Sequence, residues 1–309
     1  MQHITGLSTV INGYDALLLD LWGVIHDGSE LYPGVHDALV QLRGAGKKII
    51  FLSNAPRRAS KVKTALTGLG IEPALYDGVV SSGEAGYHYL AQNRLGHYYY
   101  MGPDKDADVL DGLDYLRVDD LKAASFILNV GFGSEEQSTG DMTPVLRAAR
   151  LLALPMLCLN PDLEVVKITG QRFPCAGVLA HAYQDMGGEV VWFGKPYAEV
   201  YDYSMQLLTS PSPLEGEGRG GGVSSMDALL KIPPHPNPPP QGGRGYAGKP
   251  RILAIGDSLE TDIPGALHYG IDCALVTGGI LKEKTVSEIE GLCRELRLEP
   301  TYIMPRLAW

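Results

Sequence analysis

Short apolar runs and amphipathic stretches alternate along this chain. Residues 16–22 (ALLLDLW) are apolar at nearly every position, the pattern of a strand buried on both faces. After Pro33 and Gly34 the spacing becomes helical over 35–44, and proline suits such a start. Residues 47–54 (KKIIFLSN) read as the next strand, and 58–69 as a helix capped by Gly70. This strand–helix–strand rhythm predicts an α/β fold with a doubly wound parallel sheet. Between about 83 and 190 the rhythm repeats with its own strands at 97–101, 125–131 and 156–160, and helices near 141–152 and 177–187. Residues 190–194 (VVWFG), 251–256 (RILAIG) and 273–277 (CALVT) then read as core strands again, with a helix at 197–208. The expected organisation is a core built from 1–82 and 189–309, interrupted by an inserted α/β cap over 83–188.

One segment fits neither period. Residues 210–250 hold 9 Pro and 9 Gly among 41 residues. Such a stretch buries too little apolar surface to offset its ordering entropy. Residues 210–249 are expected to be a disordered insertion in a surface loop, tolerated because closure entropy grows only logarithmically with length. The halves PSPLEGEGRGG and PPHPNPPPQGGRG resemble translated arms of a bacterial palindromic repeat element, which would leave the insertion without a role. A Pro-rich docking motif is the other reading.

Composition narrows the functional classes. The 309 residues are 45% hydrophobic and 20% charged, enough for a sizeable core. A formal net charge of −10 argues against general nucleic-acid binding. A small phosphorylated ligand is still compatible, since one lysine and one metal suffice locally. Cys158, Cys175, Cys273 and Cys293 form no C-x-x-C pair and read as buried thiols. The histidines show no zinc-ligand spacing. No basic-then-apolar leader opens the sequence and no run is long enough to span a bilayer, so a cytoplasmic location is the default expectation. Tyr98, Tyr99 and Tyr100 would alternate across a cap strand and are expected to pack, not to form a substrate platform.

Four segments carry candidate chemistry. Asp20 closes the first apolar run, where burying an unpaired charge is costly. The C-terminal ends of strands in open α/β sheets are where ligands bind. A turn-capping aspartate is the plainer alternative. Ser53 and Asn54 end the second strand and could donate to a phosphoryl oxygen, although Ser-Asn is also common turn chemistry. Lys195, between a strand and Pro196, could point its ammonium into the same crevice or into solvent. Asp257 and Asp262 in GDSLETDI (256–263) offer two hard oxygen donors, as suits Mg²⁺. A helix cap would explain Asp257 but not the pair. Arg57 and Arg58 could meet an anionic substrate end, or start a helix in solvent. No G-x-G-x-x-G follows the first strand, which sets dinucleotide binding aside.

The joint order of Asp20 to Val24, Ser53-Asn54, Lys195 and Gly256 to Ile263 resembles the four motifs of the haloacid dehalogenase (HAD) superfamily. Leu31-Tyr32-Pro33-Gly34, Leu159-Asn160-Pro161-Asp162 and the stretch from Gly177 to Gly188 resemble its class IIA branch, the nagD-like and p-nitrophenyl-phosphatase group. The likeness spans nearly the whole chain outside 210–249. It implies a Rossmann-like core with an inserted cap, acting on a small phosphorylated metabolite. By this resemblance Asp20 would be the nucleophile and form an aspartyl-phosphate. Ser53, Asn54 and the backbone near Gly23 would hold phosphoryl oxygens, and Lys195 would stabilise the transferring group. Mg²⁺ would sit on Asp20, Asp257 and the Trp22 backbone carbonyl, with Asp262 supporting. Asn160 and Asp162 would face the site when the cap closes, and caps of this branch often pair, so the resemblance leaves a homodimer through the cap open alongside a monomer.

One position departs from the family. A second Asp normally stands two residues after the nucleophile as general acid and base, and here it is Trp22. An indole N–H only donates. The lost step is typically worth about 10²–10⁴ in rate. His26 and Asp27 are candidate substitutes. Other outcomes are a good leaving group, a reaction without that acid, or a protein that binds a phosphometabolite without turnover.

Overall fold

A computed structural model describes residues 1–134, 136–166, 170–209 and 250–309. The expected insertion at 210–249 lies outside the described residues. Along the first part of the chain run β1 (Gln2–His3), β2 (Ala16–Leu19), α1 (Val35–Gly44), β3 (Lys48–Ser53), α2 (Ala59–Gly68), β4 (Gly78–Ser81) and α3 (Ser82–Gln92). The middle contributes β5 (Tyr98–Met101), β6 (Arg117–Val118), β7 (Phe126–Asn129), α4 (Thr139–Leu151), β8 (Met156–Cys158), β9 (Glu164–Val166), β10 (Arg172–Pro174), α5 (Ala176–Asp185) and β11 (Val190–Trp192). The last part holds α6 (Ala198–Thr209), β12 (Ile252–Gly256), α7 (Asp262–Tyr269), β13 (Asp272–Val276), α8 (Val286–Glu295) and β14 (Tyr302–Met304).

Seven parallel strands form the core sheet in the order β1-β14-β13-β12-β2-β3-β4. Alternation explains why β2 and β3 read as unbroken apolar runs. Leu17, Leu19, Ile49 and Phe51 pack on one face with α1 and α2. Ala16, Leu18, Ile50 and Leu52 pack on the other with α6, α7 and α8. Both faces are covered, so no position along these strands needs to be polar. The winding reverses between β2 and β12, which places a crevice at their C-terminal ends.

The cap has a second parallel sheet, in the order β11-β8-β7-β5-β6, and the antiparallel hairpin β9–β10. Tyr98 and Tyr100 pack into one face of this sheet and Tyr99 against the other, as period-two alternation requires. One strand was misassigned from sequence. Residues 190–194 were expected in the core, yet β11 pairs with β8 in the cap sheet. The first core strand is also shorter than expected. It ends at Leu19, and Leu21 to Leu31 fold into a loop tied by the Trp22–His26 and His26–Leu31 bridges. No described helix is long and apolar enough to cross a membrane.

Candidate active site

Three neighbouring strands deliver the site. Asp20 follows β2, and its N–H donates to the Ile255 carbonyl on β12 at 2.9 Å. Ser53 ends β3. Asp257 follows β12, and Asp262 opens α7 directly after Thr261. Lys195 arrives from the segment between β11 and α6. Its Nζ lies 2.5 Å from Asp20 Oδ1 and 2.6 Å from Asp262 Oδ1. Lys195 is only 3% exposed, and Asp20, Asp257 and Asp262 are buried as well.

Glycines make this crowding feasible. Gly23 has φ +85°, and a Cβ there would fall 1.9 Å from Asp257 Oδ2. A Cβ at Gly256 would fall 2.1 Å from the Asp262 carboxyl carbon. Backbone N–H groups orient the acids. Ile280 N–H donates to Asp257 Oδ2 at 2.7 Å, and Ser258 N–H to Asp262 Oδ2 at 3.1 Å.

Carboxylate oxygens of Asp20, Asp257 and Asp262 lie within 4.8 Å of one another. Burial pushes the Asp20 carboxyl well up, and Asp262 and Asp257 add to this against the pull of Lys195. Burial, then Asp262, pushes Asp257 up to about 8. Burial opposes the charge on Lys195, but Asp20, Asp262 and Asp162 outweigh it and hold the ammonium well above its ordinary range. Three buried acids with one ammonium leave a charge deficit that a hard dication would fill. Such oxygen donors suit Mg²⁺ or Ca²⁺.

A cavity of about 970 Å³ opens from this cluster between core and cap. Its walls include Asp20, Ser53, Lys195 and Asp257 from the core and Asp162 and Phe173 from the cap. Two family models match the two ends of the chain. One, haloacid dehalogenase-like hydrolase, covers residues 17–116, and the other, HAD-hydrolase-like, covers 192–309. This chain belongs to the haloacid dehalogenase-like hydrolases. The cap inserted between Ser53 and Lys195 is the class IIA arrangement. The hydrolase is 25% identical over 270 residues to the sugar-phosphatase AraL of Bacillus subtilis, covering 86% of this chain and 84% of that protein. It is similar to a haloacid dehalogenase-like hydrolase of Brucella suis 1330, with TM-score 0.77 and 26% identity over 99% of this chain and 100% of that one. A possible sugar phosphatase of Cytophaga hutchinsonii shares the fold, with TM-score 0.74 and 20% identity over 99% and 98% of the chains.

Other expected residues of the hydrolase fall into different places. Ser53 Oγ accepts from Ala55 N–H at 3.2 Å, which leaves its O–H to donate into the cavity. The Asn54 side chain is engaged within the protein. Both its N–H bonds are committed, to Asp162 Oδ1 at 2.9 Å and to the Lys195 carbonyl at 3.1 Å. Its Oδ1 accepts from Lys195 N–H at 2.7 Å. Asn54 is thus a clamp on the Lys195 backbone. Asn160 and Asp162 both border the cavity. Asn160 Oδ1 accepts from Asp162 N–H at 3.1 Å, and Asp162 Oδ1 also accepts from Thr261 Oγ1 at 3.2 Å. Thr261 was not foreseen, because its partner is 99 residues distant.

Trp22 bridges the core loop to the cap. Its indole N–H donates to the Val166 carbonyl of the cap hairpin at 3.1 Å, and its ring meets His26 edge-on at 5.8 Å between centroids. His26 borders the cavity, with Nδ1 accepting from Gly28 N–H at 2.9 Å. Burial depresses its pKa to about 4, so the ring is neutral near pH 7. Asp27 Oδ1 accepts from Ser29 N–H, Ser29 Oγ and Glu30 N–H at 2.8, 2.8 and 2.9 Å, an Asx turn that holds the loop. Arg58 does start α2, as its N-cap, and both arginines are paired. Arg57 makes a bidentate pair with Asp106 of the cap, and Arg58 pairs with Glu84 while lying 3.3 Å over the Tyr87 ring.

Proposed function

We propose that this hydrolase cleaves small phosphomonoesters through a phospho-Asp20 intermediate, with Mg²⁺ as its cation. The observation that carries the reading is the buried set of Asp20, Lys195, Asp257 and Asp262 at the strand ends, opening into a cavity sized for a small ligand. Names given to relatives, sugar phosphatase among them, point the same way. Asp20, Asp257 and Asp262 would hold the cation, which neutralises charge on the phosphoryl oxygens when bound. Lys195 fixes the Asp20 carboxylate for attack. Ser53 O–H and loop amides after Asp20 would receive phosphoryl oxygens. The cap excludes water and macromolecules.

The test is phosphate release from p-nitrophenyl phosphate and a panel of metabolite phosphates, with Mg²⁺ and with EDTA. We expect Mg²⁺-dependent turnover that vanishes in Asp20→Asn, and a trapped peptide bearing one phosphoryl group on Asp20. Turnover that survives Asp20→Ala rules out the nucleophile. A second reading, a phosphometabolite-binding protein without turnover, draws on Trp22. It would show as saturable, Mg²⁺-dependent binding of a phosphate ester by a wild type that never releases phosphate.

A further inference from the structure

The loop that carries the nucleophile brings no carboxyl group other than Asp20 to the cavity wall. Trp22 does not ionise, and its one N–H donates to Val166 O. The His26 ring packs edge-on against Trp22 and takes the Gly28 N–H on Nδ1. Asp27 accepts three hydrogen bonds from its own turn and does not border the cavity. Asp162 borders the cavity from the cap, where its Oδ1 accepts from Asn54 and Thr261, and its variant below separates it from the loop.

Resting on the phosphatase reading above, we propose that this site is specialised for phosphate carried on an acidic oxygen, namely enol, aryl or acyl phosphates, in preference to alkyl esters. In the first step an Asp20 oxygen bonds to phosphorus and the bond from phosphorus to the leaving oxygen breaks. That oxygen departs with the electron pair as an enolate, phenolate or carboxylate, and no proton is transferred. In the second step water bonds to phosphorus and the Asp20 oxygen departs as a carboxylate. Both water protons stay on the product, which is dihydrogen phosphate. The two halves are chemically alike, since each expels an oxygen anion that is stable without protonation. A group of this kind escapes the rate penalty of about 10²–10⁴ that a missing general acid imposes on an alkoxide.

The experiment measures kcat/KM for acetyl phosphate, p-nitrophenyl phosphate, phenyl phosphate and glycerol phosphate with Mg²⁺, in wild type, Trp22→Asp, Trp22→Phe and Asp162→Asn. Wild type and Trp22→Phe are expected to fall by about 100-fold or more from the first two substrates to glycerol phosphate. Trp22→Asp is expected to narrow that gap by about 100-fold or more, mainly by gain on glycerol phosphate. Asp162→Asn should scale all four values by a common factor. Wild type that treats glycerol phosphate like the aryl esters overturns this inference while leaving the phosphatase reading intact. So does an Asp162→Asn variant that loses activity selectively on poor leaving groups, since Asp162 would then be the acid. A wild type silent even with acetyl phosphate overturns both. If Trp22→Asp does not fold, the wild-type and Trp22→Phe series still decide.

Discussion

Without the Lys195 ammonium, Asp20 and Asp262 would face each other across the gap that its Nζ now bridges at 2.5 and 2.6 Å. Breaking a buried pair in this way costs about 3–5 kcal/mol. Lys195→Met is therefore expected to lower unfolding stability by about that amount in urea melts run with EDTA. Phosphate release should fall by about 10²–10³ with Mg²⁺ present, the scale of losing one preorganised donor. Glu84 supplies a pH signature away from the site. Burial raises its carboxyl, but bonds from His88, Arg58 and Ala59 N–H outweigh this and hold it at about 2, against 4.5 unfolded. A depressed folded pKa means the stabilisation is complete above 4.5 and is lost as pH falls toward 2. Urea midpoints measured at pH 5 and pH 3 should separate less in Glu84→Gln than in wild type. Among site residues, Asp20, Lys195, Asp257 and Asp262 were legible because each follows an apolar strand or opens a helix. The clamp role of Asn54 was not, because its partners Asp162 and Lys195 are brought to it by cap docking, which local sequence does not encode.

At the level of elements, alternation and turn residues located β3, β5, β7, β8, β12 and β13 to within a few residues. β11 was given to the wrong sheet because VVWFG is apolar in a way that suits either one. The hairpin β9–β10 went unseen, since three-residue strands are too short to display a period. The overrun of β2 had a different cause. Leu21 is buried in the loop as deeply as the strand residues, so apolar continuity did not mark the end at Leu19. The turn that follows depends on Gly23. Gly23→Ala puts a methyl group at φ +85° against Asp257 and should destabilise the chain by more than the roughly 1–3 kcal/mol of backbone strain alone. Thermal melts and Mg²⁺ titration calorimetry of this variant should show a lower Tm and weaker binding together. Trp22→Phe removes the indole donor to Val166, so amide exchange should quicken in β9 and β10 while the core strands keep their protection.

Across the whole molecule, the doubly wound core, the inserted cap and the crevice at the β2/β12 reversal follow from strand rhythm and motif order. How core and cap meet does not, since it depends on side-chain pairs far apart in sequence. Every core strand and every site residue among the described residues is complete without 210–249. Replacing that segment with a short Gly/Ser linker is accordingly expected to leave the Tm within a few degrees and kcat/KM unchanged, as calorimetry and steady-state assays would show. The contacts that join core to cap have a further consequence. Trp22 to Val166, Asn54 and Thr261 to Asp162, Arg57 to Asp106 and Lys61 to Asp108 tie the core to the cap. A lid fastened at so many points is expected to open as a unit, with product leaving as the fastenings release together. The outer two are ion pairs that dissolved electrolyte weakens, whereas the inner ones are shielded from it. Ionic strength then becomes a handle on how long inorganic phosphate dwells inside, separable from the rate at which it is made.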